Sequence, residues 1–246
     1  MAIIRVGIGG WSYAPWRGDF FPKGLAQSRE LEFASRQFGA VEINGTFYSR
    51  QARSTWEKWG ATAPEGFQFA VKGSRYCVTR PKMGDAGEGI GNFLAQGLTA
   101  LGDKLGPILW MLAARRKFDR EDIAAFIDLF PEQYEGVALR HVIEPRHESF
   151  RDEAFFQLCR DRNVAIVFGD DDDFPCIDCD TADFAYARLQ RMRSDVPTGY
   201  DEAALKSFAE RAKQWKSKSL DAYIFMINGA KERAPAAALA LQERLG

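Results

Sequence analysis

Two acidic residues with the potential for acid-base chemistry stand at the ends of predicted strands. Glu42 alternates with Val41 and Ile43, and Glu144 lies near the end of the alternating segment 136–146. In a strand of this pattern the acid points to one face and the apolar side chains to the other. Two carboxylates in one site act as general acid and base when burial and repulsion separate their pKa values. We expect Glu42 and Glu144 to form such a pair.

Other predicted strands end in cations, amides or aromatic rings. Strict alternation over residues 66–72 places Lys72 opposite Phe67 and Phe69, and His147 follows the Glu144 segment directly. We predict that Lys72 and His147 share the catalytic work with the two glutamates. The cations would hold an anionic group, and the rings would stack on the substrate or exclude water. The predicted substrate-binding residues are Trp11, Tyr13, Asn44, Phe47, Tyr48, Trp110, Arg146, Arg188 and Asn228.

The elements that must position these side chains alternate along the chain. Eight predicted strands cover parts of residues 3–8, 38–48, 66–72, 106–112, 136–146, 164–168, 182–189 and 222–227, and most are followed by a helix. Strands alternating with helices imply parallel pairing, and eight such units in this length fit a closed TIM (β/α)8 barrel. One helix is weak or missing after strand 6, at residues 170–181. Because all strands of a barrel end on one face, the scattered polar residues would converge there.

The sequence pattern supports more detailed predictions for two helices and one histidine. We expect a helix over residues 28–38 with Ser28 as its N-cap, and another over residues 86–101. Alternation turns His141 away from Glu144, toward the surrounding helices.

Composition indicates one globular domain spanning residues 1–246. The 33 basic and 34 acidic residues give a formal net charge of −1, so no overall field attracts nucleic acid or an anionic membrane. No apolar run approaches the roughly 20 residues of a membrane helix, and residues 1–5 lead into a strand rather than a signal peptide. We therefore expect no membrane association and a cytoplasmic location; the oligomeric state is not readable.

Metal and cofactor sites are not expected. The chain has only two histidines, and Cys176 and Cys179 lack the second pair of ligands that a zinc site needs. The glycines within residues 84–91 lack the preceding strand and the Lys-Ser/Thr of a phosphate-binding loop. We predict an ordinary solvated loop around the two cysteines.

Seven phrases in order resemble one family across essentially the whole chain. They are GGWSYAPWRGDFFP, FGAVEINGTFYSR, FAVKGSRY, LGDKLGPILW, EPRHESF, YARLQ and FMINGAKERAPAAALAL, and together they resemble the DUF72 (YecE-like) family. The resemblance implies a TIM barrel and no established activity. It supports as family-pattern positions Trp11, Tyr13, Trp16, Glu42, Asn44, Phe47, Tyr48, Lys72, Glu144, Arg146, His147 and Asn228.

The chain departs from this family pattern at two places. Where relatives have Gln and then Pro-Pro after the fourth strand, it has Met111, Ala113 and Ala114. Where a His-Gly commonly follows the seventh strand, it has Gln190 and Arg191. The second departure removes a candidate proton carrier, which argues against catalysis in this member.

Three functions remain open from the sequence. The first is a metal-independent hydrolase or lyase acting on a small polar substrate, sugar-like or phosphorylated, at the barrel mouth. The second is a non-catalytic barrel that binds a metabolite or, less favoured, nucleic acid through the same aromatic and cationic groups. The third is a scaffold with a vestigial mouth. Ion-pair networks inside barrels are also commonly structural, so the polar residues alone do not decide between them.

Overall fold

A closed barrel of eight parallel strands forms the centre of the protein in a computed structural model that describes residues 2–246. The strands are, in chain order, β1 (Ile4–Gly9), β2 (Ala40–Ile43), β3 (Gln68–Lys72), β4 (Leu105–Met111), the short pair β5 (Gln133–Tyr134) and β6 (Val137–Ala138), β7 (His141–Glu144), β8 (Ala165–Asp170), β9 (Phe184–Leu189) and β10 (Asp221–Met226). All but β5 and β6 belong to the barrel, whose order is β1-β10-β9-β8-β7-β4-β3-β2. The pairing of β1 with β2 closes the ring. The predicted TIM barrel is confirmed.

Helices cover the outside of the barrel. They are α1 (Glu30–Gln37), α2 (Arg53–Thr62), α3 (Arg75–Val78), α4 (Gly87–Leu94), α5 (Arg120–Ile127), α6 (Glu153–Asp161), α7 (Glu202–Ser217) and α8 (Ala234–Leu245). The described chain contains no helix between β8, the sixth barrel strand, and β9, which confirms the predicted gap. Within residues 2–246, no helix combines the length and the apolarity needed to cross a bilayer.

The barrel interior is built from large rings on one side and small residues on the other. Phe184 and Tyr186 of β9 and Tyr223 and Phe225 of β10 belong to a buried interior cluster that also contains Ala70 of β3, across the barrel from β9. Inward-facing side chains of a barrel fill its centre in layers, so large residues on neighbouring strands require small ones opposite. The apolar layers end below the carboxyl ends of the strands, where polar residues take over the interior positions.

Two predicted elements are shorter than the sequence pattern indicates. The segment 136–146 is not one strand: Glu135 (φ 47°) and Gly136 (φ 78°) form the turn between β5 and β6, and the barrel strand begins at His141. The predicted helix over residues 86–101 ends at Leu94, because Gly97 adopts φ 98° and the chain continues as a 3-10 segment. Left-handed backbone at these points cannot continue a helix or a strand.

The start of α1 also differs from the prediction. Its first α-helical residue is Glu30, preceded by a 3-10 turn over Gln27–Arg29, and no side chain caps it. Ser28 lies inside that turn and is not an N-cap. The apolar face was predicted correctly, since Leu31, Ala34 and Phe38 are buried.

Candidate active site

A cavity of about 620 Å³ opens at the carboxyl end of the barrel. Six barrel strands contribute to it through their last residues or the residues just before, and loops after the strands complete the rim. The lining residues are Gly9, Gly10, Trp11, Ser12, Ile43, Asn44, Gly45, Tyr48, Gln51, Trp59, Lys72, Met111, Arg146, Arg188, Met226, Ile227, Asn228 and Lys231. Every charged residue in this set is a cation, and no aspartate or glutamate lines the described cavity wall.

Arg188 lies beneath the cavity and holds both predicted acids. Its Nε and Nη2 donate to Glu42 Oε2 and Oε1 at 3.1 and 3.0 Å, and its Nη1 donates to Glu144 Oε2 at 2.7 Å. The Arg188 side chain is 1% exposed and the two carboxylates are 0% and 5% exposed. Strand alternation turns these side chains, from β9, β2 and β7, to the barrel interior. The structure thus brings Glu42 and Glu144 together, as predicted, with an arginine between them.

The shared arginine fixes the charge state of this group. Burial by itself raises the pKa of Glu144, but Arg188, Arg146 and Lys72 outweigh burial and lower it. Burial lowers the pKa of Arg188, but Glu144 and Glu42 more than reverse that effect. Arg146 adds a second cation on Glu144, with Nη2 at 3.1 Å from Oε1. Glu144 is therefore ionised at neutral pH and is not a proton donor there.

Tyr186 also contacts Glu42, and it was not among the site residues predicted from the sequence. Its hydroxyl donates to Glu42 Oε2 at 2.7 Å from a fully buried position. Burial, with the nearby Glu42 charge, raises the pKa of Tyr186 well above its usual range, so the phenol stays neutral and donates. The signal was present: Tyr186 precedes Arg188 by two residues, which puts both side chains on one face of β9.

Lys72 differs from the other cations of the site because nothing neutralises it directly. No carboxylate oxygen of the described residues lies within 4.0 Å of its Nζ, which instead stands 5.0 Å from the centre of the Phe47 ring. Burial and, to a smaller extent, Arg188 lower the pKa of Lys72 to about 8, although Glu42 and Glu144 oppose the shift. Lys72 is thus a buried amine on the cavity wall that loses its proton near pH 8.

The cluster as a whole carries an excess of positive charge. Glu42 and Glu144 contribute two negative charges, whereas Lys72, Arg146 and Arg188 contribute three positive ones when Lys72 is protonated. Water-excluded surroundings strengthen the field of such an excess. An anionic group entering the cavity would complete the charge balance.

Aromatic rings and amides form the rest of the wall. Trp11 meets Trp59 edge to face at 5.1 Å, and Tyr48 is 69% exposed at the rim. Asn228 donates through Nδ2 to Gln190 Oε1 at 2.8 Å, with φ 60° at Asn228. Gln190, the residue at one departure from the family pattern, is thus buried and fixes a cavity-lining amide. Met111, at the other departure, lines the cavity itself.

The structure corrects the prediction for Trp110, which does not line the mouth. Its ring is fully buried outside the barrel wall, stacked on Phe130 at 5.2 Å, and its Nε1 donates to His141 Nδ1 at 3.1 Å. The reason is parity along β4: Leu109 and Met111 face inward, so Trp110 faces the helices. His141 also faces outward, as predicted.

Three other predicted site residues lie beside the cavity rather than in its wall. His147 Nδ1 accepts from the Ser149 backbone N–H at 3.1 Å and caps the turn after β7. Tyr13 packs edge to face on Trp16 at 5.4 Å. Phe47 contributes through its ring face beneath Lys72. The catalytic role of His147 and the binding role of Tyr13 stay predictions.

Two polar features at the same end of the barrel were not predicted as site residues. Lys231, on the loop after β10, lines the cavity with Nζ 4.8 Å from the Tyr13 ring centre, and no strand pattern reaches that loop. Asp170 accepts from the Tyr200 hydroxyl at 2.8 Å and from Arg191 Nε at 2.7 Å. This second network is separate from the cavity wall.

Metal-binding groups do not gather at this site. In residues 2–246, no three or more histidine, cysteine, aspartate or glutamate side chains are arranged to hold a metal ion. Cys176 and Cys179 are both free and partly exposed. The absence of a cofactor stays a prediction.

Comparison with known proteins places the chain in a family. The family model described as "Protein of unknown function DUF72" matches residues 5–246. Part of the chain is 34% identical over 70 residues to UPF0759 protein YunF of Bacillus subtilis (strain 168), a match covering 28% of this chain and 24% of that protein. The chain thus spans about a quarter of the curated relative it matches.

Two solved structures share the fold. A DUF72 family protein from Thermotoga maritima MSB8 superposes with a TM-score of 0.78 at 21% identity, covering 99% of each chain. A DUF72 family protein from Enterococcus faecalis V583 superposes with a TM-score of 0.74 at 15% identity, covering 99% of this chain and 95% of that one. With a family model matching nearly its whole length and a barrel shared with these structures, the chain belongs to the DUF72 family.

Proposed function

We propose that this protein binds a small anionic metabolite, sugar-like and carrying a phosphate or carboxylate, in the mouth of the barrel and acts on it as a metal-independent hydrolase or lyase. The observation that carries the proposal is the charge of the cavity wall: Lys72, Arg146, Arg188 and Lys231 line it, and no acidic side chain does. A cavity of about 620 Å³ is of the size that encloses a metabolite.

The distribution of the cations supports an anionic ligand in one orientation. Arg188 is saturated by Glu42 and Glu144, so it is less available to a ligand than Lys72, which has no carboxylate partner. Lys231 stands at the rim on the opposite side of the mouth, on the loop after β10. An anion between Lys72, Arg146 and Lys231 would receive charge-assisted hydrogen bonds, which are about twice as strong as neutral ones.

The aromatic and amide groups suit the polar remainder of such a ligand. Trp11, Trp59 and Tyr48 offer ring faces and edges on one side of the cavity, and Asn44, Gln51 and Asn228 offer hydrogen-bonding groups. Rings that pack on the apolar face of a sugar while amides bond its hydroxyls are an effective combination for polar ligands. This combination favours a sugar-like molecule over a purely apolar one.

Lys72 is the group best suited to proton transfer in this site. A general acid or base works best when its pKa lies near the operating pH, and that of Lys72 is about 8. Glu144 is held ionised by Arg188 and Arg146. In this proposal Glu42 and Glu144 are positioning residues that orient Arg188, and Lys72 faces the reacting atoms.

Calorimetric titration with a matched set of ligands tests the proposal. Glucose 6-phosphate and inorganic phosphate should bind and lose affinity as salt is raised, whereas glucose should bind at least tenfold more weakly than its phosphate. Lys72→Met should weaken glucose 6-phosphate binding at least tenfold. The exposed Lys213→Met should leave it unchanged, since Lys213 lies on the outer helix α7. Equal, salt-insensitive binding of glucose and its phosphate would contradict an anion site.

A second function, binding without turnover, is favoured by the neutralisation of the two carboxylates. Both glutamates are ion-paired with Arg188 and held in place, as a rigid binding site requires. The chain also lacks the histidine that the family pattern places at Gln190. Phosphorus NMR of a sugar-phosphate mixture incubated with the protein separates the two functions. New resonances in the wild type that are missing with Lys72→Met would support an enzyme; bound but unchanged ligands would support a binding protein.

A further inference from the structure

We propose that Lys72 forms a Schiff base with an anionic aldehyde or ketone, so that the substrate of this site is an oxo compound carrying a phosphate or carboxylate. The inference rests on the proposed function for the anion site and adds the reacting group and the bond. It starts from the position of the amine: Lys72 ends β3, its Nζ lies over the Phe47 ring, and it lines the cavity.

The surroundings of Lys72 differ from those of a lysine used for an ion pair. In the described chain no carboxylate oxygen lies within 4.0 Å of its Nζ, although Glu42 and Glu144 are both close enough to influence it. Arg188 takes up the Glu42 carboxylate with two donors and one oxygen of Glu144 with a third. The network thus satisfies the acids with arginines and leaves the amine free to react.

Burial and cationic neighbours also favour the reactive form of the amine. A lysine is nucleophilic only when unprotonated, and desolvation or a neighbouring cation promotes that form. With its pKa lowered to about 8 by burial and then by Arg188, about a tenth of Lys72 is the free amine at pH 7. An ordinary lysine, with a pKa of about 10.4, is unprotonated to only about 0.04%.

The chemistry balances with groups already present. The Nζ lone pair adds to the carbonyl carbon, the C=O π electrons move to oxygen, and that oxygen takes a proton. The nitrogen then loses a proton, and a second proton on the oxygen lets it leave as water, which gives the protonated imine. Overall, an amine, a carbonyl compound and one proton give an iminium ion and one water molecule. A bond from the adjacent carbon then breaks, and its electron pair forms the C=C bond of an enamine while the C=N π electrons move to nitrogen. The other fragment leaves as a carbonyl compound or CO2, which is lyase chemistry. A proton on the enamine carbon and the addition of water then release the product and the free amine.

The remaining cations define the rest of the substrate. Arg146 is the nearer one, since it is among the charges that lower the pKa of Lys72, and Lys231 stands at the rim. Because these two cations line the same cavity as Lys72, a phosphate or carboxylate bound by them leaves the carbonyl group of a short substrate to react with Lys72. This arrangement selects short oxo acids and oxo phosphates over neutral aldehydes.

Reductive trapping tests the inference on the wild-type protein. The probe is glycolaldehyde phosphate with sodium cyanoborohydride at pH 7, followed by proteolysis and mass spectrometry of the lysine peptides. Lys72 should carry the secondary-amine adduct at least tenfold more than the exposed Lys213. Inorganic phosphate should compete, and unphosphorylated glycolaldehyde should show a smaller preference for Lys72, because only the lowered pKa of the amine then favours it. Labelling of lysines in the order of their exposure would overturn the inference.

A second measurement separates this inference from the proposed function. Calorimetry with inorganic phosphate reports the anion site without any covalent step. Phosphate binding with no adduct at Lys72 would overturn the Schiff base and leave the anion site standing; neither binding nor adduct would overturn both. If Lys72→Arg folds, shown by its melting curve, it should keep phosphate binding and lose the adduct, because a guanidinium forms no imine with an aldehyde under these conditions.

Discussion

The two ends of the barrel interior both hold an arginine in an acidic and phenolic environment, yet they differ in exposure and in charge balance. At the amino end Arg140 Nη1 donates to Asp221 Oδ2 and to the Tyr223 hydroxyl, each at 3.1 Å. At the carboxyl end Arg188 donates to Glu42 and Glu144, and Tyr186 donates to Glu42. Arg140 and Asp221 are 36% and 24% exposed, whereas Arg188 is 1% exposed.

Solvent exposure and charge balance together distinguish a structural ion-pair network from a binding site. The Arg140–Asp221 pair balances its charges at an end that solvent reaches, so it resembles the ion pairs that stabilise many barrels only slightly. The Arg188 network is buried, carries one positive charge too many and adjoins a cavity lined only by cations. A buried pair with a missing counter-charge indicates a binding site more strongly than an ion pair by itself.

The largest expected difference between the two ends is in stability. Arg188→Met would leave Glu42 and Glu144 buried without their main partner, and breaking a buried pair in this way costs about 3–5 kcal/mol. Arg140→Met removes a partly exposed pair and should cost about 1 kcal/mol or less. Urea unfolding of both variants at pH 7 measures the contrast. Equal losses would mean that the Arg188 network is no more than another structural pair.

The second-largest expected effect is a pH-dependent stabilisation of the protein when Lys72 is replaced. Lys72 has a pKa of about 8 when folded and about 10.4 when unfolded, so between these pH values the unfolded state binds more protons and stability rises with pH. Below pH 8 the buried ammonium carries its full cost, about 3 kcal/mol. Lys72→Met should therefore be more stable than the wild type at pH 7, and the gain should disappear as the pH passes through 10.

Unfolding free energies of the wild type, Lys72→Met and Lys213→Met from pH 6.5 to pH 10.5 measure this effect. Lys213 is exposed on α7, so its variant should follow the wild-type curve. A difference between Lys72→Met and wild type that stays constant across this range would show that the Lys72 ammonium is not destabilised by its surroundings.

A smaller effect is expected from the two phenols that accompany the arginines. Tyr186→Phe removes a fully buried hydrogen bond to the carboxyl group of Glu42 and should cost about 2 kcal/mol. Tyr223→Phe removes a hydrogen bond to the neutral amide of Gln68 and one accepted from Arg140. Arg140 is 36% exposed and can bind water instead, so the loss should be about 1 kcal/mol. Thermal unfolding of both variants gives the order. A larger loss for Tyr223→Phe would place the more strongly coupled network at the amino end.

The convergence of the site was predictable because strand ends obey a simple geometric rule. Glu42, Lys72, Glu144 and Arg188 stand at or near the ends of strands with clear alternation, so a closed parallel barrel brings them to one face. Tyr186 follows from the same alternation, two residues before Arg188. The number and the order of the strands and helices were sufficient to predict the fold.

Site residues were predicted wrongly or missed in two situations. In one, the strand pattern does not show which side chains point into the barrel; in the other, the residue lies on a loop. The strand β4 is apolar on both faces, so its sequence does not say whether Trp110 or Met111 points inward, and the structure places Met111 there. Lys231 lies on a loop whose course depends on tertiary packing. The partner of each acid was not predictable either, because the choice of Arg188 over Lys72 depends on side-chain reach inside the closed barrel.

The smallest effect on stability is expected for a substitution at the rim of the cavity. There, ligand affinity should fall while the free energy of unfolding hardly changes. Lys231→Met removes a half-buried cation that stands over the Tyr13 and Trp16 rings at 4.8 and 5.8 Å, which contributes about 0.5 kcal/mol. Glucose 6-phosphate should nevertheless bind several-fold more weakly, because the rim loses a cation that faces the cavity. Arg140→Met, at the other end of the barrel, should leave that affinity unchanged. If both variants weakened binding equally, the effect would come from the overall charge of the protein, and the distinction between a structural end and a binding end would fail.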